Sequence, residues 1–492
     1  MRWHRSVLVP LALLALLALL GAACTSSDRG PTQARGGRSS SETEGAGTAE
    51  GLLDEAQEQA DETAERLEAL EAATAAGTVG RIAKIHRAPA TGWTGEKLVN
   101  ATGDDWEPAI AADPNASYVY ILHNRYGASP CQGPCPDPAM IVHVSSDGGK
   151  TWGPEHFICQ CKNVGGQFDP LIEVVRTTGT VYAVFMNDYK IQFSKSTDHG
   201  ASWSTPVWIH SDVRWGDKPT FSTSANGQDV YVLFNGPSEG DVYAAWSHDG
   251  GTTWQTTQIT NDARYHFDYG VAVLPTGRVV STQISFSYTG QAGAATGPVQ
   301  IHEYASDDGG VTWTSAIIDT LELGVGCTSS ACYPDFYDSG PALAMDADGD
   351  LVVVYSGAAT AGGLRTIYER SSIDDGHTWG ARVVLSTAGV NAGFAAAAGV
   401  GNDGVRVYYA QLQSGRWNVF YRTSANLGGS WAAPVKISDA TSGTSYKNAS
   451  GFLEFYGDYG EIAVTNTGKA IGVWGEGPSY AGPGGVWVNV EK

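Results

Sequence analysis

The chain is short of charge, and above all of positive charge. Only 17% of its 492 residues are charged, and 30 Lys and Arg stand against 52 Asp and Glu, for a formal net charge of −22. Because nucleic acids bind basic surfaces, this balance argues against nucleic acid as a partner. The sequence also has no His-x-x-x-His pair and no P-loop, so it lacks the short signatures of two large enzyme classes.

Glycine and aromatic residues are plentiful instead: the chain has 62 Gly, 15 Trp and 22 Tyr. Tryptophan and tyrosine are enriched in strands, and glycine in the turns that join them. This composition predicts an all-β fold. It excludes a coiled-coil rod, a multi-span membrane protein and a wholly disordered chain.

The first 24 residues have the pattern of an export signal. Arg2 and Arg5 precede an apolar run from Val7 to Leu20, and small residues then lead to Cys24. The run is too short for a mature membrane span, and its flanks are typical of a secretory signal. The segment that ends at Cys24 resembles a bacterial lipobox. This resemblance implies that residues 1–23 are removed and that Cys24 is lipidated; the alternative is plain secretion.

Two segments of different composition follow. Residues 24–50 are rich in Ser, Thr, Gly, Arg and Glu without an apolar pattern, which predicts a disordered tether. In residues 51–76, apolar residues recur at spacings of three and four between acidic ones, which predicts a helix with a narrow apolar seam. We expect this helix to be a solvated spacer. The alternative is a helix that docks or oligomerises.

One octet recurs along the rest of the chain and predicts the fold. Its first copy is Ser145-Ser-Asp-Gly-Gly-Lys-Thr-Trp152, and further copies end at Trp203, Trp254, Trp313, Trp379 and Trp431; the last has Asn426 in place of Asp. The octet has the chemistry of a hairpin turn. Its Asp can accept hydrogen bonds from N–H groups of its own loop, and its Gly can adopt a positive φ. We expect each Trp to fold back and bury its ring between strands.

Apolar segments around each octet predict units of four antiparallel strands, and radial repetition of such sheets is a β-propeller. The octets number six, but first-strand and third-strand segments each number seven. The last third strand, Gly485 to Val490, has no fourth strand after it, whereas Glu96 to Asn100 matches a fourth strand in type. We therefore predict a seven-bladed β-propeller over residues 94–492, with its last blade closed by the N-terminal strand. A six-bladed ring is the alternative.

The octet is identified as the Asp-box, or BNR repeat, so residues 94–492 resemble the sialidase (neuraminidase) superfamily and its non-sialidase relatives. In sialidases, three Arg bind the substrate carboxylate, a Tyr assisted by Glu is the nucleophile, and an Asp is the acid/base. The first of those Arg lies in an Arg-Ile-Pro motif, which this sequence does not contain. The resemblance therefore implies a sialidase-like fold more firmly than sialidase activity.

Candidate site residues cluster on one predicted face of the ring, where the first strands begin. Acidic residues at or near these starts would form a rim around the channel mouth: Glu107, Asp169, Asp217, Asp268, Asp338 and Asp458. The rim could cap backbone N–H groups, hold Ca²⁺, or supply paired carboxylates for glycoside cleavage. For cleavage, the candidate catalytic residues are Asp169, Asp268, Asp338 and Tyr459.

Other residues are candidates for binding at the same face. Arg125 follows a second strand and could bind a carboxylate or pair with the acidic rim. Tyr189, Trp215 and Tyr265 lie in loops there and could stack on sugar rings. Tyr459 could instead pack between blades.

Cysteine usage fits an exported protein. Six cysteines besides Cys24 lie in loops of the same predicted face: Cys131, Cys135, Cys159, Cys161, Cys327 and Cys332. An even number in an oxidising compartment predicts disulfides. Cys327 with Cys332 is the favoured pair, the other four allow three pairings, and a four-Cys zinc site is the alternative.

The sequence thus predicts an exported, lipid-anchored propeller on the extracellular face of the membrane. We expect it to recognise a glycan or a cell-surface protein, to contact the membrane only through its lipid, and to need no cofactor except Ca²⁺ if the rim binds it. The alternatives are a sialidase-like glycoside hydrolase and a scaffold in envelope assembly.

Overall fold

The protein is described from a computed structural model. It describes residues 49–77, 89–100, 103–127, 136–159, 165–236, 241–262, 264–289, 294–324, 340–438, 447–448, 451–452, 454–455, 459–477 and 483–492. Only the backbone is described for residues 49–62, 267–269, 288–289, 294–296 and the three short segments between 447 and 455.

A single helix and thirty-one strands make up these parts of the chain. Helix α1 spans Ala49–Ala76, two residues longer at its start than the sequence predicts. Within the described residues, no helix has the length and apolar character that a membrane crossing requires. A short strand, β1 (Lys97–Leu98), follows α1.

The strands after β1 form blades in chain order. Blade 1 contains β2 (Asp104–Ala112), β3 (Val119–Tyr126), β4 (Ala139–Ser145) and β5 (His156–Phe157). Blade 2 contains β6 (Gln167–Val174), β7 (Val181–Asn187), β8 (Lys190–Ser196) and β9 (Val207–Trp208). Blade 3 contains β10 (Asp217–Thr223), β11 (Val230–Asn235), β12 (Val242–Ser247) and β13 (Gln255–Gln258).

The next two blades have the same antiparallel order. Blade 4 contains β14 (Tyr265–Val273), β15 (Val279–Thr289), β16 (Ala294–Ser306) and β17 (Thr314–Leu321). Blade 5 contains β18 (Ala342–Met345), β19 (Leu351–Ala358), β20 (Arg365–Ser372) and β21 (Val383–Val384).

The last two blades carry additional short strands. Blade 6 contains β22 (Ala392–Val400), β23 (Gly404–Gln413), β24 (Arg416–Ser424) and β25 (Val435–Lys436), with β26 (Lys447–Asn448) and β27 (Gly451–Phe452) added at β24. Blade 7 contains β28 (Glu454–Phe455), β29 (Glu461–Val464), β30 (Ala470–Gly477) and β31 (Gly485–Val490). The prediction of seven blades is confirmed.

The ring is joined where the two ends of the propeller meet. Strand β1 pairs antiparallel with β31, with Lys97 opposite Val488 and Leu98 opposite Trp487. The N-terminal strand therefore supplies the outer strand of blade 7. This pairing leaves the third strand of that blade without an open edge.

The core lies between blades rather than within any one of them. In β7, Val181, Ala183 and Phe185 pack with residues of blade 1. The alternate residues Tyr182 and Val184 pack with residues of blade 3. Since side chains alternate across a strand, both faces of such a strand are buried, and its sequence is a continuous apolar run rather than an alternating one.

Each octet forms the hairpin between the third and fourth strands of its blade, on the face that we call the bottom. In blade 2, Asp198 Oδ1 accepts hydrogen bonds from the Ser202 N–H and the Ser196 hydroxyl, both at 2.8 Å. The hydroxyl and N–H of Ser202 and the hydroxyl of Ser196 lower the pKa of Asp198 to about 2. The octet acids are therefore turn residues, as predicted.

The octet tryptophans pack differently from the prediction. They are half-buried, and each contacts the preceding blade rather than strands of its own sheet alone. The Trp254 ring, for example, meets the Phe193 ring of blade 2 edge-on, with centroids 5.3 Å apart. The octet hairpin lies close to the preceding blade, since a Cβ at Gly251 would meet the same Phe193 ring, and this brings the tryptophan onto that blade.

Candidate functional site

Four side chains meet at the top of the channel, on the face opposite the octet hairpins. They are Glu107, Asp169, Lys218 and Tyr459, from blades 1, 2 and 3 and the entry to blade 7, and we call them the mouth cluster. Glu107, Asp169 and Lys218 have φ values of 54°, 53° and 48°. The strand pairing shifts register beside each of them. A bulge turns a side chain away from its regular direction, so the same local distortion presents all three residues at the mouth.

Hydrogen bonds connect the members of the mouth cluster from blade to blade. Glu107 Oε2 accepts from the Asn124 amide at 2.9 Å and from the Asp169 N–H at 3.0 Å. Asp169 Oδ1 accepts from the Tyr459 hydroxyl at 3.0 Å. The Lys218 N–H donates to Asp169 Oδ2 at 3.2 Å.

Lys218 also neutralises part of the charge at the mouth. Its ammonium lies 3.6 Å from Asp169 Oδ1 and 5.6 Å from the centre of the Tyr459 ring. Two carboxylates at close range repel each other, and a cation between blades offsets that repulsion. The described cluster thus combines two acids, one base and one phenol.

The structure places only part of the predicted acidic rim at the mouth. Glu107 and Asp169 occupy equivalent positions, but Asp217 lies one residue before the equivalent position, which Lys218 fills. Asp268 lies on β14, where only the backbone is described, and Asp338 and Asp458 lie outside the described residues. Sequence reasoning missed Lys218. The signal was available: Glu107, Asp169 and Lys218 each precede a proline.

At the mouth cluster, the inner strands and Tyr459 line an open cavity of about 260 Å³. Its wall is mostly apolar side chains and backbone, but Glu173 and Glu461 line it as well. Burial raises the pKa of each carboxyl to about 8, and for Glu461 the neighbouring Glu173 adds to the rise. Glu461 Oε2 accepts from the Ile110 N–H at 2.7 Å. Near neutral pH these groups hold protons, so the cavity carries little charge.

A stacked aromatic pair lies beside the mouth. The Tyr189 and Trp215 rings are 5.2 Å apart and inclined by 22°, and both are half-buried. The Gly216 N–H donates to the Tyr189 carbonyl at 2.9 Å, which fixes the loop that leads to Lys218. Partly exposed aromatic faces of this kind can stack on sugar rings. Tyr265 instead packs on Phe286, with ring centres 5.5 Å apart.

Arg125 does not lie in the mouth cluster. Its buried guanidinium binds Asp105 at 2.5 and 3.2 Å and Glu155 at 2.8 Å. Next to it, His143 Nε2 and His123 Nε2 are 3.1 Å apart. Burial lowers the pKa of both histidines to about 3, with a further lowering by Arg125 for His123 and by His123 for His143. We call these five residues the seam network, because they lie between blades 1 and 7. Arg125 therefore pairs with acids, but not with those of the predicted rim.

One group of described carboxylates has the spacing of a cation site. Oxygens of Asp346, Asp350 and Asp403 lie within 4.8 Å of one another, in strand 1–2 turns at the bottom. Asp346 already accepts hydrogen bonds from the N–H groups of Asp348, Gly349, Asp350 and Asp403, so these turns are explained without an ion. The Ca²⁺ site expected at the rim stays a prediction.

The cysteine predictions rest mostly on residues outside the described part of the chain. Cys24, Cys131, Cys135, Cys161, Cys327 and Cys332 lie there, as do residues 1–48, which hold the predicted signal and tether. Cys159 is described and is disulfide-bonded. The pairing of the six cysteines stays a prediction.

Comparison with known proteins connects the chain to sialidases. No family model matches it. A sialidase from Micromonospora viridifaciens is 23% identical over 310 residues, which cover 55% of this chain and 44% of the relative. The match thus spans less than half the length of that sialidase.

Solved structures with similar folds include a polysaccharide lyase and a sialidase. An ulvan lyase, described as a new family of polysaccharide lyase, has a TM-score of 0.48 at 11% identity, covering 79% of this chain and 95% of its own. A sialidase from Streptococcus pneumoniae has a TM-score of 0.43 at 11% identity, covering 80% and 70%. At these scores we draw no functional conclusion from either.

Proposed function

We propose that this sialidase-like propeller is a glycan-recognition module that binds uncharged sugars at the mouth cluster. The observation that carries the proposal is the meeting of Glu107, Asp169, Lys218 and Tyr459 at an open cavity and beside the Tyr189–Trp215 pair. Carboxylates accept hydrogen bonds from sugar hydroxyls, the ammonium and phenol donate them, and aromatic rings stack on sugar faces. A site of this kind combines an apolar surface with a few convergent polar groups.

The charges at the mouth favour an uncharged sugar over a sialic acid. A sialoside carboxylate would approach two carboxylates and one ammonium, and like charges raise the free energy of binding. Arg125, for which the sequence left open either a substrate carboxylate or an acidic partner within the protein, is engaged by Asp105 and Glu155.

A second candidate function is glycoside hydrolysis, which the 3.0 Å hydrogen bond from Tyr459 to Asp169 favours. The Tyr459 oxygen would attack the anomeric carbon while its proton passes to Asp169. The bond to the leaving oxygen would break, and that oxygen would take up a proton from solvent. Water would then attack the anomeric carbon and break its bond to the Tyr459 oxygen, with Asp169 returning its proton to that oxygen and the proton of the water passing to solvent.

The binding experiment compares three variants with the unmodified protein. Asp169→Asn removes the charge that Tyr459 and Lys218 contact, Tyr459→Phe removes the hydroxyl, and Asp348→Asn changes an exposed acid at the bottom as a matched control. We expect both mouth variants to weaken binding of neutral oligosaccharides at least about tenfold, since each loses a hydrogen bond to a charged or polar group. Calorimetry with chitotetraose, cellotetraose and mannotetraose measures this.

The same proteins decide between recognition and hydrolysis. Retention of the oligosaccharides intact, with affinity lost in the mouth variants, supports recognition. Turnover of fluorogenic glycosides that disappears in Tyr459→Phe would establish the hydrolase instead. Equal binding by all variants, or no binding of any sugar, would overturn the mouth site.

We also propose, from the sequence, that the chain is exported and anchored outside the cell through a lipid on Cys24. The apolar run from Val7 to Leu20 and the small residues before Cys24 support this. Metabolic labelling with an alkynyl fatty acid tests it, because Cys24→Ser should abolish labelling and release the protein from membranes.

A further inference from the structure

An aromatic platform adjoins the mouth cluster on the top of blades 1 and 2. It consists of Trp106, Tyr126, Phe168 and the partly exposed Tyr189, which pack together with Met186. Trp106 and Phe168 come directly before Glu107 and Asp169 in the chain. The platform therefore lies at the side of the mouth, where a bound oligosaccharide would extend.

Helix α1 covers this platform. The Arg66 guanidinium carbon lies 3.5 Å from the centre of the Trp106 ring and 5.0 Å from that of Tyr126. Arg66 retains 1% of its exposure and Leu70 9%, and Leu67 packs against the platform as well. A guanidinium stacked on a desolvated tryptophan is a favourable cation–π contact.

The chain makes room for this contact at one glycine. Gly127 follows β3 with a φ of 59°, and a Cβ there would lie 2.7 Å from Leu70 Cδ2. A side chain at this position would push α1 off the platform. The helix predicted to be a solvated spacer is thus docked over at least its second half, which is the alternative that the sequence left open.

The charge on α1 opposes its docking. The helix contains nine Asp and Glu residues and a single basic residue, Arg66. It lies on a protein of net charge −22, beside the acidic mouth. Since like charges repel, Arg66, Leu67 and Leu70 must hold the helix against that repulsion. A 28-residue segment rich in Ala, Glu and Leu can also stay partly helical when it is released.

We propose that α1 is a displaceable cover of a second, aromatic subsite for oligosaccharides, with Arg66 in the place of a sugar ring on Trp106. This inference rests on the proposed function of the mouth cluster. A single sugar would fit at the mouth with α1 docked. A longer chain would stack on the platform and release the helix, so its apparent affinity is lowered by the fraction of molecules that are covered.

Two matched double variants test the cover. Arg66→Ser with Leu70→Ser removes the contacts with the platform. Glu68→Ser with Glu71→Ser makes the same replacements on the exposed face of α1 and serves as the control. Hydrogen exchange of the amides at 63–76, followed by mass spectrometry, should be at least about tenfold faster in the first variant, because docking protects helix amides. Equal exchange in the two variants would overturn the docking.

The binding readout tests what the helix does. We expect chitotetraose, cellotetraose or mannotetraose, whichever the unmodified protein binds, to bind at least about fivefold more tightly to the first variant than to the control. The matching monosaccharide should bind equally to both. Faster exchange with unchanged or weaker oligosaccharide binding would overturn the cover and leave the mouth site standing.

Reciprocity supplies an independent measurement on the unmodified protein. If the oligosaccharide and α1 compete, saturation with the tetrasaccharide must speed amide exchange at 63–76. The factor must equal the one by which the docked helix lowers the affinity for the tetrasaccharide. Slower exchange on binding would show that α1 is part of the site rather than its cover. Absence of sugar binding to every variant would refute the proposed function, and the cover with it.

Discussion

At the scale of single residues, the glycine at the fifth position of the octet does more than allow a turn. Gly149, Gly200, Gly251, Gly310 and Gly376 each have a positive φ, and the nearest atoms to a Cβ at each of them belong to the preceding blade. The octet therefore brings the bottom of each blade into close contact with its neighbour. The same residue satisfies both the turn and the contact between blades, which explains why the motif recurs around the ring.

Gly251→Ala should destabilise the protein by roughly 2–4 kcal/mol, because the residue has a φ of 80° and its Cβ would lie 2.3 Å from the Phe193 ring. Gly362→Ala is the matched control, since Gly362 has a φ of 69° and open space around it, and about 1 kcal/mol is expected there. Urea unfolding followed by tryptophan fluorescence measures the difference. Equal losses would show that the turn alone requires glycine.

At the scale of elements, the seam network joins blade 1 to the blade that β1 closes. Asn100, just after β1, donates to Glu155 Oε2 at 3.1 Å, and Glu155 pairs with Arg125. Two neutral histidines complete the network, since the Nε2–Nε2 contact needs one donor and one acceptor. Protonating both would place two cations beside Arg125 with only Asp105 and Glu155 to balance them.

Stability should therefore fall as the pH falls from about 6.5 towards 3. An unfolded histidine takes up its proton near pH 6.5, whereas burial holds the pKa of His143 at about 3, so acid favours the unfolded chain. In urea unfolding, His143→Gln should cost stability at pH 7.5, and this cost should shrink by roughly 2–3 kcal/mol at pH 4.5. Ser211→Gln, at an exposed turn and without a titratable side chain, is the control and should give the same difference at both pH values. A cost that stays constant for His143→Gln would show that this histidine does not sense acid.

Strands, turns and the number of blades were the features that the sequence predicted best. Six octets and seven first strands suffice to count the blades, because strand length and turn chemistry are local properties of the sequence. Lys218 has one local signal, the proline that follows it, and the seam network has no local signal. The first depends on a one-residue bulge that moves the functional position from Asp217 to Lys218, and the second on a contact between blades at opposite ends of the chain. The partner of the Arg66 side chain was equally out of reach, since α1 docks on residues 40 and more positions away.

At the scale of the whole molecule, inner strands of every blade converge on the cavity that holds Glu173 and Glu461. A carboxyl whose pKa is raised in the folded state makes its full contribution to stability at pH values below the pKa that it has in the unfolded chain, near 4.5. That stability is lost as the pH rises through about 8. The folded state thus loses stability at alkaline pH because of the carboxyls in its channel, and at acid pH because of the histidines of the seam network.

Glu461→Gln should remove the alkaline effect, because glutamine accepts the Ile110 N–H bond without ionising. We expect the free energy of unfolding of the variant, relative to that of the unmodified protein, to rise by roughly 3 kcal/mol from pH 5 to pH 8.5. Unfolding at the two pH values measures the gain. Glu68→Gln, on the exposed face of α1, should give none, and an equal gain there would assign the effect to net charge alone.

The pairing of β1 with β31 also sets an order of events in synthesis. Residues 97 and 98 leave the ribosome nearly four hundred positions before their partners at 487 and 488, so the outermost strand must wait, unpaired, until the other blades exist. Contacts of such long range form slowly. A chain that lacked residues 487–492 would lose four of the six residues of β31, among them both partners of β1, so the circle can close only after β31 has been made.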